Sequence, residues 1–254
     1  NRFTTILSPF IFTIAFFSLS RLQRVNESGL KGSNLRGAQS QISDLFFSDP
    51  SPTVLGWSTN ADSSQGLTHT CGGSTIFGGY PNFGKDIYAT KTYTDLPPHY
   101  QALVSIQLFF IDSWSGEILY VRADDNTIYQ DSHSVGCCDT SNVCGLETET
   151  DKTRSITVGP FSHTASTLTL NITTNLDEAG DNESFGFNSI FIILDLCDSP
   201  CLTCYGMTND TCTSCNSGWF LEGTTCDSTC PQGKYGNTTT NTCERMRLNI
   251  ISLN

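Results

Sequence analysis

The chain has 254 residues, enough for one or two domains, and carries a formal net charge of −12 at pH 7 with only 13 Lys and Arg residues. Nucleic acid is excluded as an expected partner, because its phosphates need a basic surface. The 12 cysteines indicate an oxidising compartment, where disulfides persist.

The first 20 residues have the composition of a secretory signal peptide. An apolar stretch over 3–19 follows Arg2, and Ser18 and Ser20 supply the small residues typical of a cleavage site. The alternative is an uncleaved membrane anchor, since the stretch approaches the length that spans a bilayer. The basic residues that follow it would then keep the downstream chain in the cytosol, against the cysteine usage, so cleavage is favoured. Membrane attachment is expected only through sequence not present here.

Residues 21–43 are rich in Gly, Ser, Asn and Gln without an apolar period, and they are predicted to be a linker. From 44 to 196 apolar and polar residues alternate in short runs, which is typical of half-buried strands. The clearest runs cover 104–110, 119–123 and 168–172, and the apolar run over 185–196 predicts a central strand. Many short strands without helical periodicity predict an all-β domain, an antiparallel β-sandwich.

Residues 79–86 match a phosphate-binding loop except at Asp86, where the motif needs Ser or Thr to hold magnesium. Residues 87–93 have a strand pattern in place of the helix that such a loop requires, so a glycine-rich turn is predicted. The chain has no Gly-x-Ser-x-Gly elbow and no His-Glu-x-x-His motif, and its 4 histidines are scattered. No enzymatic activity and no cofactor besides calcium are expected, the alternative being a hydrolase built from distant residues.

The strongest candidate site is an acidic loop between two predicted strands. Its oxygen-bearing side chains are Asp177, Glu178, Asp181, Asn182 and Glu183. Hard oxygen ligands on a flexible loop suit Ca²⁺, which is plentiful outside cells. Asp112 and Glu117 are expected to join the site if their loops meet it. The alternative is a solvated acidic loop, because the spacing does not match an EF-hand.

Aromatic side chains offer a second candidate site, a sugar-stacking platform. Its members would be Trp57, Tyr80, Tyr100, Trp114 and Tyr120. The alternative is that the tryptophans pack in or at the rim of the core. Glycans are therefore a possible class of partner.

Four cysteines belong to the 44–196 region: Cys71, Cys137, Cys138 and Cys144. Cys137 and Cys138 are adjacent, and a bond between them would be strained. One of the two is predicted to bond Cys144 and the other Cys71, with a free thiol pair as the alternative.

Several segments of this region resemble a domain of ciliate surface proteins that precedes cysteine-rich repeats. They are Cys71-Gly-Gly-Ser-Thr-Ile-Phe-Gly-Gly-Tyr80, Phe83-Gly-Lys85, Leu96-Pro-Pro-His-Tyr100, Ile111-Asp-Ser-Trp114 and Asp181-Asn-Glu-Ser-Phe-Gly186. The resemblance implies an extracellular, jelly-roll-like domain. It implies no activity that can be assigned to individual residues.

Residues 197–243 form a ladder of eight cysteines: Cys197, Cys201, Cys204, Cys212, Cys215, Cys226, Cys230 and Cys243. So short and polar a segment cannot bury enough apolar surface to fold alone, and disulfides are predicted to hold it as a rod. The alternative is zinc bound by the two Cys-x2-Cys pairs. Their separation is shorter than in the usual zinc ribbon, and four cysteines would have no role.

The ladder resembles the furin-like, growth-factor-receptor cysteine-rich repeats of receptor ectodomains. The resemblance rests on Cys201-Leu-Thr-Cys204-Tyr-Gly206, Cys212-Thr-Ser-Cys215 and Cys226-Asp-Ser-Thr-Cys230-Pro-Gln-Gly-Lys-Tyr235. It implies the pairs Cys197–Cys204, Cys201–Cys212, Cys215–Cys226 and Cys230–Cys243. The pattern ends at Cys243, so residues 244–254 are expected to be an irregular or truncated tail. No Gly/Ser linker separates 196 from 197, which predicts a semi-rigid joint between head and rod.

Five glycosylation sequons complete an extracellular pattern, at Asn26, Asn171, Asn182, Asn209 and Asn237. The sequence predicts a secreted or cell-surface glycoprotein that serves as a structural or adhesive element of a protist coat, appendage or filament. Other extracellular proteins or copies of the chain itself are the expected partners. The alternative is a lectin-like or receptor-like ectodomain on a cysteine-rich stalk.

Overall fold

The computed structural model describes residues 56–134 and 142–246, together with the backbone of two strands nearer the N-terminus. The strands of the first part are β1 Gln23–Arg24, β2 Gln39–Asp44, β3 Ser58–Thr59, β4 Thr68–Cys71, β5 Ser74–Gly78, β6 Tyr88–Tyr93, β7 His99–Asp112, β8 Ser115–Ala123, β9 Asn126–Ser134, β10 Lys152–Ser162, β11 Leu168–Thr174 and β12 Glu183–Leu196. A single 3-10 turn, Ser63–Gln65, is the one helical element among the described residues, and it is too short to cross a membrane.

Two antiparallel sheets form a sandwich from these strands. The first sheet contains β1, β2, β12, β5 and β4, and β7 joins β12 to β10. The second sheet has the order β3-β6-β11-β8-β9. From β6 to β12 the chain passes repeatedly from one sheet to the other, as in a jelly roll. The predicted all-β, jelly-roll-like sandwich is confirmed.

The core lies between the inner faces of the two sheets. Alternate residues of β11, Leu168, Leu170 and Ile172, are fully buried, while Thr169 and Asn171 between them are half-buried. Strand β12 pairs with β7 on one side and with β2 and β5 on the other, so the prediction of a central strand over 185–196 is confirmed. The period-two pattern specified the buried face because side chains of a strand alternate between its two sides.

Part of the range predicted as a linker is strand. Residues 39–44 pair with β12 between Asp195 and Ile190, and residues 23–24 pair with β2. Ile42 is the one strongly apolar residue of β2, so the sequence carries no alternating pattern there. The pairing uses backbone hydrogen bonds, which any non-proline residue supplies. The predicted signal segment, 1–20, and the sequon at Asn26 lie outside the described residues.

The rod consists of short strands that are linked by disulfides. These are β13 Cys201–Cys204, β14 Cys212–Cys215, β15 Phe220–Glu222, β16 Thr225–Asp227, β17 Lys234–Asn237 and β18 Thr242–Arg245. Strand β13 pairs with β14, and the others form the order β16-β15-β18-β17. Since β18 continues to Arg245, the ordered rod extends two residues into the range predicted as tail.

The rod contains the disulfides Cys197–Cys204, Cys201–Cys212, Cys215–Cys226 and Cys230–Cys243, the same pairs that the resemblance implies. Each cysteine of the alternative zinc site is therefore bonded to another cysteine. The buried cluster of the rod is made of cysteines alone, namely Cys201, Cys204, Cys212, Cys215 and Cys226. The disulfides thus take the place of an aliphatic core.

Candidate functional site

The acidic loop is positioned by close contact with the β5–β6 connection. It joins β11 to β12, and Gly180 lies directly against the backbone of Pro81 and Gly84. A side chain on either glycine would collide with backbone of the facing loop. The amide of Lys85 also donates to the carbonyl of Glu178 at 2.8 Å. The segment predicted as a glycine-rich turn therefore serves as the platform for the candidate site.

Three carboxylates meet at the base of this loop. Oxygen atoms of Glu117, Asp177 and Glu183 all lie within 4.8 Å of one another. Glu183 is buried at the start of β12, and its Oε1 accepts from the amides of Asp177 and Glu178, both at 2.8 Å. Glu117 projects from β8 and accepts from the amide of Ser115 at 2.6 Å. This carboxylate cluster offers the hard oxygen ligands that Ca²⁺ prefers.

Electrostatics of the carboxylate cluster favour the arrival of a cation. Burial raises the pKa of Glu183, and the charges of Glu117 and Asp177 raise it further, against the two amide hydrogen bonds. Burial also opposes ionisation of Glu117, but hydrogen bonds from Ser115 outweigh it, so the pKa of Glu117 is lowered. Like charges held this close repel one another, and a divalent cation would relieve that repulsion.

Two of the five side chains predicted for the acidic loop belong to the carboxylate cluster, and the cluster also has a member from outside the loop. Asp177 and Glu183 belong to it, and Glu117 joins them from β8. Glu178 instead accepts a hydrogen bond from the side chain of Asn182, and both are exposed, as is Asp181. Asn182 also carries a sequon, so a glycan there would stand at the rim of the loop.

Asp112 does not join the carboxylate cluster. It is fully buried, and its Oδ1 accepts from the amide of Leu146 at 2.7 Å. Its own amide donates to Asp151, whose other oxygen accepts from the amides of Val143 and Cys144 at 2.7 and 2.9 Å. Two buried carboxylates thus organise the segment 143–151.

The Asp112 carboxylate has few interactions that offset the cost of burying its charge. Burial, together with the nearby charges of Asp151 and Glu149, raises its pKa to about 6 despite the hydrogen bond from Leu146. Its Oδ2 has no hydrogen-bond partner among the described residues. An ionised carboxylate in this position weakens the fold.

The disulfide in this region differs from the predicted pairing. Cys71 is bonded to Cys144, across 73 residues of sequence. The prediction that Cys144 would bond Cys137 or Cys138 is therefore wrong, and those two cysteines lie outside the described residues. The buried carboxylates explain the outcome, because Asp151 holds the backbone of Cys144 beside the first sheet, within reach of β4.

The two tryptophans of the predicted aromatic platform are not available to stack on a sugar. Trp57 and Trp114 are 5% and 1% exposed, and both belong to the sandwich core. The indole of Trp114 donates to the carbonyl of Ser184 at 2.9 Å. Core packing of these tryptophans, the alternative to a sugar platform, is confirmed.

The structure brings together two histidines that the sequence left scattered. His99 and His163 are 64 residues apart, yet His99 Nε2 and His163 Nδ1 lie 2.6 Å from each other. The chain of contacts continues from His163 Nε2 to Asp124 Oδ2 at 3.0 Å, and from His99 Nδ1 to the carbonyl of Pro97 at 2.6 Å. No spacing in the sequence predicts this arrangement, because its members come from the ends of three separate strands.

Comparison with known proteins gives one sequence relative. The chain is 37% identical over 49 residues to cysteine repeat modular protein 1 of Tetrahymena thermophila, a match that covers 19% of this chain and 2% of that protein. The chain therefore spans a very small part of the length of this relative. No family model matches the chain.

Solved structures share the β-sandwich at low identity. The C-terminal family 6 carbohydrate-binding module of the laminarinase LamC from Zobellia galactanivorans is 12% identical with a TM-score of 0.35, over 60% of this chain and 98% of the module. The K1 cleaved adhesin domain of Lys-gingipain from Porphyromonas gingivalis is 14% identical with a TM-score of 0.38, over 60% of this chain and 96% of that domain. These values are too low to transfer a ligand or a residue's role.

Proposed function

We propose that the chain is part of a secreted or cell-surface glycoprotein, in which it serves as a structural or adhesive element. The observation that carries this proposal is the joint between the sandwich head and the rod. No catalytic activity is proposed. The disulfides in both parts of the chain agree with an extracellular location, because such bonds persist in oxidising compartments.

The joint is built from backbone pairing and side-chain packing. Strand β12 pairs with β7 up to Leu196, opposite His99. The amide of the next residue, Cys197, donates to the carbonyl of Pro98 at 3.0 Å. Cys197 and Tyr100 then pack against the buried cysteines of the rod. A head joined in this way would pass its orientation to the rod, as a coat or filament requires.

Exposed hydrophobic side chains are concentrated on the rod. Of the six large hydrophobic side chains that are exposed in the described part of the chain, five lie on the rod. They are Leu202, Tyr205, Trp219, Tyr235 and Met246. Contiguous exposed apolar patches mark interaction surfaces, and we propose that several of these side chains form such a patch on the rod. Other extracellular proteins or further copies of the chain are the proposed partners.

Self-association of the purified, oxidised protein tests this function. The wild-type protein should sediment as concentration-dependent oligomers, and the double variant Tyr205→Ser, Trp219→Ser should associate at least tenfold more weakly, since it removes two exposed aromatic groups. Tyr88→Ser, which removes the exposed aromatic group of the head, is the matched control and should behave as wild type. A wild-type protein that stays monomeric to millimolar concentration would exclude copies of the chain as the partners.

A ligand-binding ectodomain is the second candidate function. It is favoured by a cleft of about 490 Å³ at one edge of the sandwich, within the size range of small-molecule sites. Binding of a ligand by a protein that does not self-associate would select this function over the first.

We further propose that the carboxylate cluster binds Ca²⁺ weakly. At a calcium concentration ten times Kd, the free energy of unfolding should rise by about 1.4 kcal/mol. Glu183→Gln should remove most of this gain, because it removes the buried negative charge while its remaining oxygen still accepts from the two amides. The gain should also fade in acid, as protons occupy Glu183. Thermal melts with calcium and with chelator measure the effect.

Glu178→Gln is the matched control for the calcium experiment. Glu178 lies in the same loop and carries the same charge, but its carboxylate is not part of the carboxylate cluster. Its calcium response should equal that of wild type. Identical wild-type melts across millimolar calcium would reject the site.

A further inference from the structure

The cleft at the edge of the sandwich lies where the two sheets separate. Strand β9 ends the second sheet, and β10 pairs with β7 alone. The pairing of β10 with β7 shifts register between Val158 and Phe161, and the cleft opens beside this irregularity. Farther along the same seam, Arg154 of β10 pairs with Asp131 of β9 and closes the gap. The opening is therefore local and lies between β9 and β10.

The lining of the cleft combines two kinds of residue. Four members are apolar, namely Ile128, Val158, Pro160 and Phe161. Five others carry hydrogen-bonding groups: Asp124, Asn126, Thr127, Ser162 and His163. A fully apolar ligand would leave the polar groups unsatisfied, and a fully polar ligand would gain nothing from the apolar ones. The mixed lining suits a ligand that has an apolar face and a row of hydroxyl groups.

The histidine chain sets the charge around Asp124. The carbonyl of Pro97 can only accept, so His99 Nδ1 carries a proton. One proton is also needed between His99 Nε2 and His163 Nδ1, and another between His163 Nε2 and the Asp124 carboxylate. Wherever these protons rest, the two imidazoles and Asp124 are together electrically neutral. Burial lowers the pKa of His99, in agreement with a neutral ring there.

Asp124 is also held in place from a second direction. Its Oδ1 accepts from the amide of Thr169 at 2.8 Å, and its own amide donates to the carbonyl of Thr169 at 2.9 Å. The carboxylate is thus oriented before any ligand arrives, which lowers the entropic cost of binding. Because its charge is already compensated within the histidine chain, it is a hydrogen-bond acceptor for hydroxyl groups and not a docking point for a cation.

We propose that this cleft binds a neutral saccharide, with the ring's C–H face on Phe161 and Pro160 and its hydroxyl groups on Asp124, Asn126 and Thr127. Neutral sugars match the mixed lining, carry no charge for the compensated carboxylate to attract or repel, and fit the volume. The net charge of −12 disfavours anionic ligands. This inference extends the second candidate function, and it does not depend on self-association of the rod.

The experiment uses the full chain and neutral gluco-, manno-, xylo- and galacto-oligosaccharides of two to four units as probes. At least one series should bind in calorimetry or saturation-transfer NMR. Thr127→Trp, which fills the cleft from an exposed position, should weaken binding at least tenfold, and Asn126→Ala should weaken it less. Gln130→Trp, on the same strand but outside the cleft, should bind as wild type. Near-UV circular dichroism confirms that each variant is folded.

The outcomes separate the proposal from its competitors. Binding that survives Thr127→Trp would place the sugar elsewhere and overturn the proposal. Binding of a tetralysine peptide without any neutral sugar would show that Asp124 acts as an uncompensated anion, which also overturns it. A folded wild-type protein that binds none of the four series has the same consequence. Self-association tests the other function independently. It should disappear in the double variant Tyr205→Ser, Trp219→Ser and persist in Thr127→Trp, which shows that sugar binding and self-association are separate properties.

Discussion

Replacing Cys201 and Cys212 together by serine should unfold most of the rod and leave the sandwich intact. The two sulfurs lie in the buried cysteine cluster, which has no aliphatic core to replace them. The bond closes a sequence separation of 11 residues, and loss of such a staple costs about 3 kcal/mol from chain entropy alone. A module this small has little further stability to lose. Hydrogen exchange should show loss of protection over 201–226 with protection of β7 and β12 retained.

The matched control removes the last bridge, Cys230–Cys243, by the same double serine replacement. Both of those cysteines are half-buried, and their bridge lies outside the buried cysteine cluster. The effect should stay local to β17 and β18. Metal analysis of the wild-type protein provides the opposing outcome, since stoichiometric zinc with free thiols would contradict disulfide stabilisation of the rod.

Asp112→Asn should stabilise the protein at neutral pH. The pKa of Asp112 is raised to about 6 from its ordinary 3.8, so the folded state holds this proton more tightly than the unfolded state. Stability from the protonated group is complete below pH 3.8 and is lost as pH rises through about 6. The asparagine keeps an acceptor for the Leu146 amide and never ionises. Its free energy of unfolding should exceed that of wild type at pH 7.5 by up to about 3 kcal/mol, from 1.36 kcal/mol per pKa unit.

The pH dependence identifies the cause of that gain. Chemical denaturation from pH 4 to pH 8 should show a stability difference that is small near pH 4, grows as the pH rises to about 6 and then stays constant. Asp151→Asn is the opposing control, because the Asp151 carboxylate accepts from three amides and an asparagine NH₂ would face one of them. That variant should be less stable than wild type. A stability difference for Asp112→Asn that is constant with pH would show that the carboxylate does not ionise in this range.

Local features of the chain could be predicted well because their physics is local. The alternation over 168–172 specified both the strand β11 and its buried face, since strand side chains have a period of two. The four rod disulfides join cysteines no more than 13 residues apart, and they match the pairs implied by a spacing resemblance. A short loop leaves few alternative partners. By contrast, β2 pairs through its backbone, so no pattern of side chains predicts this strand.

The sequence by itself determined an all-β head, a cysteine-held rod and an acidic loop at 177–183. Only the tertiary structure decided which groups meet. Glu117 joins Glu183 because β8 begins where the β11–β12 loop ends, and Asp112 faces the segment 143–151 instead. His99 meets His163 across 64 residues, and Cys71 meets Cys144 across 73. The sequence gives the chemistry of each side chain directly, but the packing of the strands determines which distant residues come close together.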